Sequence, residues 1–252
     1  MLPRLLLTND DGIDAPGLAA LIDVAKEFAQ EIWVLAPEHD ESGTGQSLSL
    51  HHPLRCHPRG ERRWAVAGTP ADCVGIALAH FMKESLPSFI LSGINAGSNT
   101  GDDVNLSGTL GAAFMGLMLG VPSIALSQVC TTRKIARWDT ARAVAPKLLH
   151  HFLTKGWPKE TCLSINIPDL PPEKITGFAW ARQGIRTMGD VHIDKRQDMR
   201  EQEYFWMTLH DKDPTTSGDF ENAVIRSGKC SVTALTLDRS VEVSLPAVMF
   251  DK

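Results

Sequence analysis

The sequence has few cysteines, no surplus of basic residues and no long apolar run. Its five cysteines lack metal-ligand spacing such as C-x-x-C, which argues against a cysteine-held zinc site and a disulfide framework. The formal net charge of −5 leaves no positive excess to neutralise a phosphate backbone, so we expect no nucleic-acid partner. No apolar stretch reaches the ~18 residues that span a bilayer, so we expect no membrane partner.

Several catalytic fingerprints are also missing. The chain has no G-x-x-x-x-G-K-[ST], no strand-linked G-x-G-x-x-G and no G-x-S-x-G elbow, which disfavours P-loop, dinucleotide-binding and serine-hydrolase chemistry. His51, His52 and His57 cluster in a polar segment, but no fourth ligand has suitable spacing for zinc. The N-terminal apolar residues are interrupted by Asn9 to Asp11, unlike a signal peptide, so we expect a cytoplasmic protein.

The most informative stretch is Leu5 to Gly12, in which three leucines lead into two adjacent carboxylates. A short continuous apolar run predicts an inner strand of a parallel sheet, and ligands bind outside the carboxyl ends of such strands. Asp10 and Asp11 repel each other unless they share a cation or a proton, which favours a hard divalent metal. A solvated Asn-Asp-Asp-Gly turn is the alternative interpretation.

Apolar strands alternate with amphipathic helices over the first two thirds of the chain. This pattern predicts an α/β protein with a Rossmann-like core and a mostly parallel sheet over residues 1–167. Asp14 is a candidate N-cap of the first helix, and Thr69 of a later one. Pro146 predicts a kink or break in a helix over residues 137–155. Residues 51–63 are predicted to be irregular.

Helical periodicity disappears after about Pro168. Residues 168–252 are predicted to form a β-rich extension of the same domain, with hairpins that serve as an oligomerisation arm. Its short strands are expected at 177–181, 204–209 and 230–237, with polar loops at 186–200 and 211–221. Tyr204, Phe205 and Trp206, together with the strand Val232 to Leu237, are predicted to pack at a subunit interface.

Polar residues follow several strand ends and should meet at one rim of the sheet. Asp10, Asp11, Ser42 and Asn95 offer hard oxygen atoms, the ligands that Mg²⁺ and Mn²⁺ prefer. The segment Ser107 to Thr109 opens a helix, whose N-terminus suits a phosphate group. A metal-bound water could then attack phosphorus, which predicts a metal-dependent phosphatase.

Together these motifs resemble the SurE family of survival proteins, which are divalent-metal-dependent 5′/3′-nucleotidases. The matching motifs cover roughly residues 4 to 130 and occur in the family's order: Thr8-Asn9-Asp10-Asp11-Gly12, Ala36-Pro37, Ser42-Gly43-Thr44-Gly45-Gln46-Ser47, Gly68-Thr69-Pro70-Ala71-Asp72-Cys73-Val74, Ser92-Gly93-Ile94-Asn95-Ala96-Gly97-Ser98-Asn99, Ser107-Gly108-Thr109 and Pro122-Ser123-Ile124-Ala125-Leu126-Ser127.

The resemblance implies one Mg²⁺ or Mn²⁺ ion per subunit, held by Asp10, Asp11, Ser42 and Asn95, with the two aspartates catalytic. It implies release of phosphate from nucleoside 5′- and 3′-monophosphates, with possible activity on short polyphosphate, and a homodimer or homotetramer. Contacts to the substrate or its phosphate are expected from six residues: Asn9, Gly43, Asn99, Ser107, Gly108 and Thr109.

The chain departs from the family at two places. Leu106 stands where an aromatic residue or a histidine often precedes Ser-Gly-Thr, and Thr236 stands where many relatives have histidine. These changes bear on substrate preference and oligomer contacts more than on the metal. Two alternatives stay open: a nucleotide-binding regulatory module without turnover, and a Rossmann-type transferase with a cofactor on Gly93 to Gly101.

Overall fold

The fold is that of a computed structural model, which describes residues 1–132, 135–185, 188–211 and 217–241. Eleven strands lie in this part of the chain: β1 Leu2–Thr8, β2 Ala29–Pro37, β3 Cys56–Gly60, β4 Arg63–Val66, β5 Phe89–Ala96, β6 Ser123–Gln128, β7 Thr161–Ile167, β8 Phe178–Trp180, β9 Met188–Gln197, β10 Glu203–Asp211 and β11 Cys230–Thr236. The α-helices described there are α1 Pro16–Ala25, α2 Pro70–Ile76, α3 Gly108–Met118, α4 Trp138–Lys155 and α5 Glu221–Arg226.

Within the described residues, nine strands form one sheet in the order β3-β4-β2-β1-β5-β6-β7-β11-β8. Neighbouring strands from β4 to β7 run parallel, while β3 is antiparallel to β4 and β11 is antiparallel to β7. The predicted α/β class with a mostly parallel sheet is therefore confirmed. Because the central strands share one direction, their carboxyl ends meet at one edge.

The central strand β1 is covered on both faces. Leu5 and Leu7 join a core cluster with α1 and α4, whereas Leu6 packs on the other side with Val74 of α2. All three leucines have no exposed surface, as a continuous apolar run predicts. Burying each of them contributes roughly 1.5–3 kcal/mol, which fixes the strand whose end carries Asp10 and Asp11.

Of the two predicted N-caps, Thr69 caps its helix and Asp14 does not. Thr69 caps α2 in a capping box, since its hydroxyl accepts the Asp72 N–H and the Asp72 carboxylate accepts the Thr69 N–H. The prediction that Asp14 caps α1 is wrong. The N-cap is Ala15, without a side-chain cap, and the Asp14 carboxylate instead lies 3.2 Å from the Arg63 guanidinium.

Helix α4 continues through Pro146, so the break that the proline could have caused does not occur. Proline removes one backbone donor from the helix. Residues on either side of it are buried in the core, including Val144 and Leu148, and this packing offsets the missing hydrogen bond.

Exposed strands were missed by the sequence analysis. Residues 51–63 were expected to be irregular, yet β3 and the start of β4 lie there. The predicted loop at 186–200 contains β9, which pairs with β10 in a separate two-stranded sheet. These strands carry many polar residues and little buried surface, so they lack the apolar run that marks an inner strand. Of the other predicted polar loop, residues 212–216 lie outside the described part of the chain.

Strand β11 belongs to the subunit's own main sheet. It pairs with β7 from Ser231 to Thr236, and Val232 has no exposed surface. The prediction that this strand packs at a subunit interface is therefore wrong, because its alternating apolar residues face the core of the same chain.

In the described part of the chain, no helix combines the length and apolar character needed to cross a membrane.

Candidate active site

A cavity of about 400 Å³ lies at the carboxyl edge of the central strands. Asp10 reaches it from the end of β1, Ser42 from the loop after β2, and Asn95 from β5. The structure thus brings three of the four predicted metal ligands to one wall, and Asp11 stands beside Asp10. The remaining wall residues are Gly43, Ala96, Gly97, Ser98, Asn99, Asp103, Leu106, Ser107, Cys130, Thr131, Thr132 and Leu209.

Asp10 is buried, with only 3% of its surface exposed. Burial raises its pKa from 3.8 to about 6; hydrogen bonds from Thr109 oppose this shift, and the neighbouring charge of Asp11 adds to it. The Thr109 hydroxyl donates to Asp10 Oδ1 at 2.6 Å. A Cβ added to Gly108 would lie 2.8 Å from the Asp10 Cβ, so only glycine fits between this carboxylate and α3.

The first turn of α3 binds the Asp10 carboxylate, whereas a substrate phosphate was the expected partner. We predicted that Ser107, Gly108 and Thr109 contact phosphate. In the structure the Thr109 hydroxyl and N–H both serve Asp10, and the Ser107 hydroxyl caps the helix by accepting the Leu110 N–H at 3.1 Å. The Thr109 side chain is fully buried, so its donor is committed to the carboxylate. Ser107 still lines the cavity, and its phosphate contact stays a prediction.

Two amide side chains at the site hold an oxygen atom without a hydrogen-bond partner. Asn95 donates through Nδ2 to the Gly97 carbonyl at 3.1 Å, and Asn9 donates to the Gly12 carbonyl at 2.9 Å. Their Oδ1 atoms are buried and, among the described residues, accept no hydrogen bond. Buried oxygens of this kind are costly unless something binds them, and a cation binds them well.

The second carboxylate is tied to the neighbouring strand. Asp11 Oδ2 accepts the N–H of Ala96 at 3.1 Å, which links the turn after β1 to the end of β5. This bond keeps Asp10 and Asp11 close to Asn95 although they are about 85 residues apart in sequence. The two carboxylates and the unpartnered amide oxygen of Asn95 together fit a divalent cation.

Ser42 is held in a short loop that packs against α3. Its N–H and hydroxyl both donate to Asp40 Oδ1, at 2.9 and 2.5 Å. The Gly45 N–H donates to the Leu106 carbonyl at 2.9 Å, and a Cβ on Gly111 would lie 1.9 Å from the Gly45 carbonyl oxygen. Gly43 has φ +86°, a conformation that glycine adopts without strain.

Asn99 is bound on two sides by residues that the sequence analysis did not select. Its N–H donates to Asn166 Oδ1 at 2.8 Å, and its Nδ2 donates to the Ser127 hydroxyl at 2.8 Å. Ser127 and Asn166 lie near the ends of β6 and β7. The rule that selected Asp10 and Asn95, a polar residue near the carboxyl end of a buried strand, would have found both.

In the regions that the structure describes, no group of three or more His, Cys, Asp or Glu side chains is placed to hold a metal ion. An ion at this site would therefore need the amide and hydroxyl oxygens of Asn95 and Ser42 beside the two carboxylates. Such an all-oxygen set suits Mg²⁺ or Mn²⁺ better than zinc.

Comparison with known proteins shows which family the chain resembles over most of its length. Residues 5–190 match the family model described as survival protein SurE. The chain is 45% identical over 242 residues to 5′-nucleotidase SurE 1 of Burkholderia lata, covering 96% of this chain and 93% of that protein. It is 41% identical to 5′-nucleotidase SurE of Caulobacter vibrioides, with 93% and 90% covered. The crystal structure of the SurE protein from Aquifex aeolicus superimposes with a TM-score of 0.80 at 33% identity, covering 94% of this chain and 95% of that one.

Proposed function

The chain belongs to the survival protein SurE family, and from this premise we propose that it hydrolyses nucleoside 5′-monophosphates, and 3′-monophosphates, to nucleoside and phosphate. The relatives at 45% and 41% identity are named 5′-nucleotidases and match nearly the full chain. The predicted ligand set of Asp10, Asp11, Ser42 and Asn95 is complete, which supports turnover rather than a regulatory module that has lost it.

One observation carries the proposal: the unpartnered Asn95 Oδ1 lies at the same cavity as Asp10 and Ser42. We propose that these residues and Asp11 hold one Mg²⁺ or Mn²⁺ ion. When bound, such an ion neutralises charge on the phosphoryl oxygens and activates water for attack. The raised pKa of Asp10 fits this role, because a cation would restore the charged carboxylate in a buried place.

The protein's own groups prepare the site. Thr109 fixes the orientation of Asp10, and the Ala96 N–H fixes that of Asp11. Ser98, Asn99 and Ser107 offer polar groups along the cavity wall, where a phosphoryl group can be bound and positioned. The cavity is large enough for a phosphate and part of a nucleoside.

The test is a phosphate-release panel of 5′- and 3′-nucleoside monophosphates and short-chain polyphosphate, each with Mg²⁺, Mn²⁺ or a chelator. We expect release from the monophosphates that requires the metal. Asp10→Ala and Asp11→Ala should abolish it while the protein stays folded. Full activity of either variant at saturating Mn²⁺ would contradict the ligand assignment.

We propose a homodimer or homotetramer as the assembled state. The support is the β9–β10 hairpin, whose large apolar side chains are exposed in the single chain. We also propose a cytoplasmic location, supported by the low cysteine content of the chain, five in 252 residues.

A further inference from the structure

Residues 97–105, here called the wall loop, form one side of the cavity. They leave β5 and end in the 3₁₀ turn Gly101–Asn105. Cavity-lining residues of this loop are Gly97, Ser98, Asn99 and Asp103. Because a loop of this kind has few regular backbone hydrogen bonds, its position depends on side chains that bind it from elsewhere.

Glu221 at the start of α5 is a buried carboxylate with no exposed surface. Its Oε2 accepts the N–H of Gly101 at 2.7 Å and the N–H of Gly184 at 3.1 Å. Its Oε1 accepts the Thr233 hydroxyl at 3.2 Å. One side chain thus joins the wall loop, the segment before β9 and strand β11.

A second side chain holds the same loop residue. Gln183 Nε2 donates to the Gly101 carbonyl at 2.8 Å, so the two polar backbone groups of Gly101 are bound by Gln183 and Glu221. Gly101 has φ +59°, a conformation that favours glycine. The Asn222 Nδ2 group adds a longer bond of 3.3 Å to the Thr100 hydroxyl.

We propose that Glu221, together with Gln183, is a positioning residue that holds the wall loop where it binds the nucleoside monophosphate. This inference rests on the proposed nucleotidase function. A carboxylate is a costly group to bury, and here both of its oxygens are used to fix backbone and side chains around the loop. The contacts end on Gly101, six residues beyond Asn95, so they bear on the substrate wall rather than on the cation ligands.

The chemistry of the three bonds makes a conservative replacement informative. In Glu221→Gln, the amide oxygen can accept both N–H groups, and the amide nitrogen can donate to the Thr233 oxygen. Glu221→Met has similar size but no acceptor, so the Gly101 and Gly184 N–H groups lose their partner. Glutamine should therefore preserve the position of the loop, and methionine should not.

The experiment compares these two variants by steady-state kinetics with a nucleoside 5′-monophosphate at saturating Mn²⁺. For Glu221→Met we expect KM to rise about tenfold or more, with a smaller change in kcat, because the binding wall is displaced. The dissociation constant for Mn²⁺ should change less than KM, since the lost bonds end on Gly101, whereas the proposed ligand Asn95 is bound to Gly97 at the other end of the wall loop. Glu221→Gln should keep a KM close to that of the wild type.

Two further variants keep the test decisive. Gln183→Met removes only the bond to the Gly101 carbonyl and should raise KM in the same direction, even if Glu221→Met does not fold. Thr140→Val is the control for destabilisation alone, because Thr140 is equally buried and its hydroxyl donates to the Leu170 carbonyl in another region. It should lower the melting temperature without raising KM.

Inorganic phosphate binding to the Mn²⁺-loaded protein, measured by calorimetry, gives a readout that does not need turnover. Weaker phosphate binding in Glu221→Met but not in Glu221→Gln supports the positioning role even if no monophosphate is hydrolysed. An inactive wild type would contradict the nucleotidase proposal alone. Unchanged KM and phosphate affinity in Glu221→Met and Gln183→Met would overturn the positioning role, as would a glutamine variant as impaired as the methionine variant.

Discussion

The Thr109 hydroxyl donates a 2.6 Å hydrogen bond to Oδ1 of Asp10, from the first turn of a helix 99 residues further along the chain. The Thr109 N–H bonds to the same carboxylate. A helix N-terminus is an anion site, and here the bound anion is a side chain of the protein itself. Helix α3 therefore orients a proposed metal ligand before any substrate arrives.

Thr109→Val should weaken cation binding. The substitution keeps the shape of the side chain but removes the donor that orients Asp10, and loss of such supporting bonds typically costs 10–100-fold in metal affinity. Titration calorimetry with Mn²⁺ measures the effect. Thr109→Ser is the matched control, since it keeps the hydroxyl, and it should bind Mn²⁺ nearly as the wild type does. Equal affinities for all three proteins would show that Thr109 only caps the helix.

Asp10 should make the stability of the metal-free protein depend on pH. Its pKa is raised to about 6 in the folded state, so its stabilising contribution is complete below 3.8 and is lost as the pH rises through about 6. We expect the free energy of unfolding to fall by on the order of 3 kcal/mol across that window, since one pKa unit corresponds to about 1.4 kcal/mol. Urea denaturation in the presence of a chelator, at steps from pH 4 to pH 7, measures it.

Asp10→Asn provides the reference for this titration. The amide oxygen can still accept the Thr109 hydroxyl, but the side chain no longer ionises. The variant should lose less stability than the wild type over the same pH range, and above pH 6 it should be the more stable protein without metal. Parallel pH profiles for the two proteins would show that Asp10 is solvated enough to ionise normally.

Gly111→Ala should disturb the cation site from a distance. Its new methyl group would lie 1.9 Å from the Gly45 carbonyl oxygen, so the loop that carries Ser42 must move. We expect weaker Mn²⁺ binding and lower activity, measured by calorimetry and phosphate release. Gly75→Ala is the matched helical control, because its methyl group would meet only the flexible end of Met115 at 3.3 Å. It should leave Mn²⁺ affinity unchanged.

The sequence predicts the inner part of this fold well, for a physical reason. Strands such as β1 are buried on both faces, so their composition reports their surroundings directly. Because the carboxyl ends of parallel strands meet at one edge of the sheet, the ends of β1 and β5 are then expected to bring Asp10 and Asn95 together. Edge strands such as β3 are mostly exposed, so solvent selects their residues as much as the sheet does, and no comparable apolar pattern marks them.

Hydrogen-bond partners that come from segments distant in sequence could not be predicted from the sequence. Hydroxyl residues at a helix start suit a substrate phosphate and a protein carboxylate equally well, and only the packing of α3 against β1 decides for Thr109. Likewise, Glu221 is the last residue of the polar stretch 211–221 that predicts a surface loop, yet it opens α5. Its burial arises because β11 returns to the main sheet and brings α5 against the wall loop.

The β9–β10 hairpin has two unlike faces. Register pairs Met207 with Ile193 and Leu209 with Val191, and paired residues on antiparallel strands share a face. Phe205 lies on the same face, opposite Lys195 at its edge, whereas Tyr204 and Trp206 alternate to the other face, opposite Arg196 and Asp194. The three aromatic residues predicted as interface anchors are therefore divided. Phe205 and Met207 are 58% and 68% exposed, which leaves a large apolar surface for a second subunit.

We expect Phe205→Ser combined with Met207→Ser to dissociate the proposed homo-oligomer into folded subunits. Both side chains are more than half exposed in the single chain, so their loss should change the subunit's own stability little while removing apolar area from the interface. Sedimentation at several concentrations, with circular dichroism, measures the outcome. Trp206→Ser on the opposite face is the control and should remain assembled. Dissociation by Trp206→Ser alone would place the interface on the other face, and an intact oligomer in both variants would exclude the hairpin as the contact.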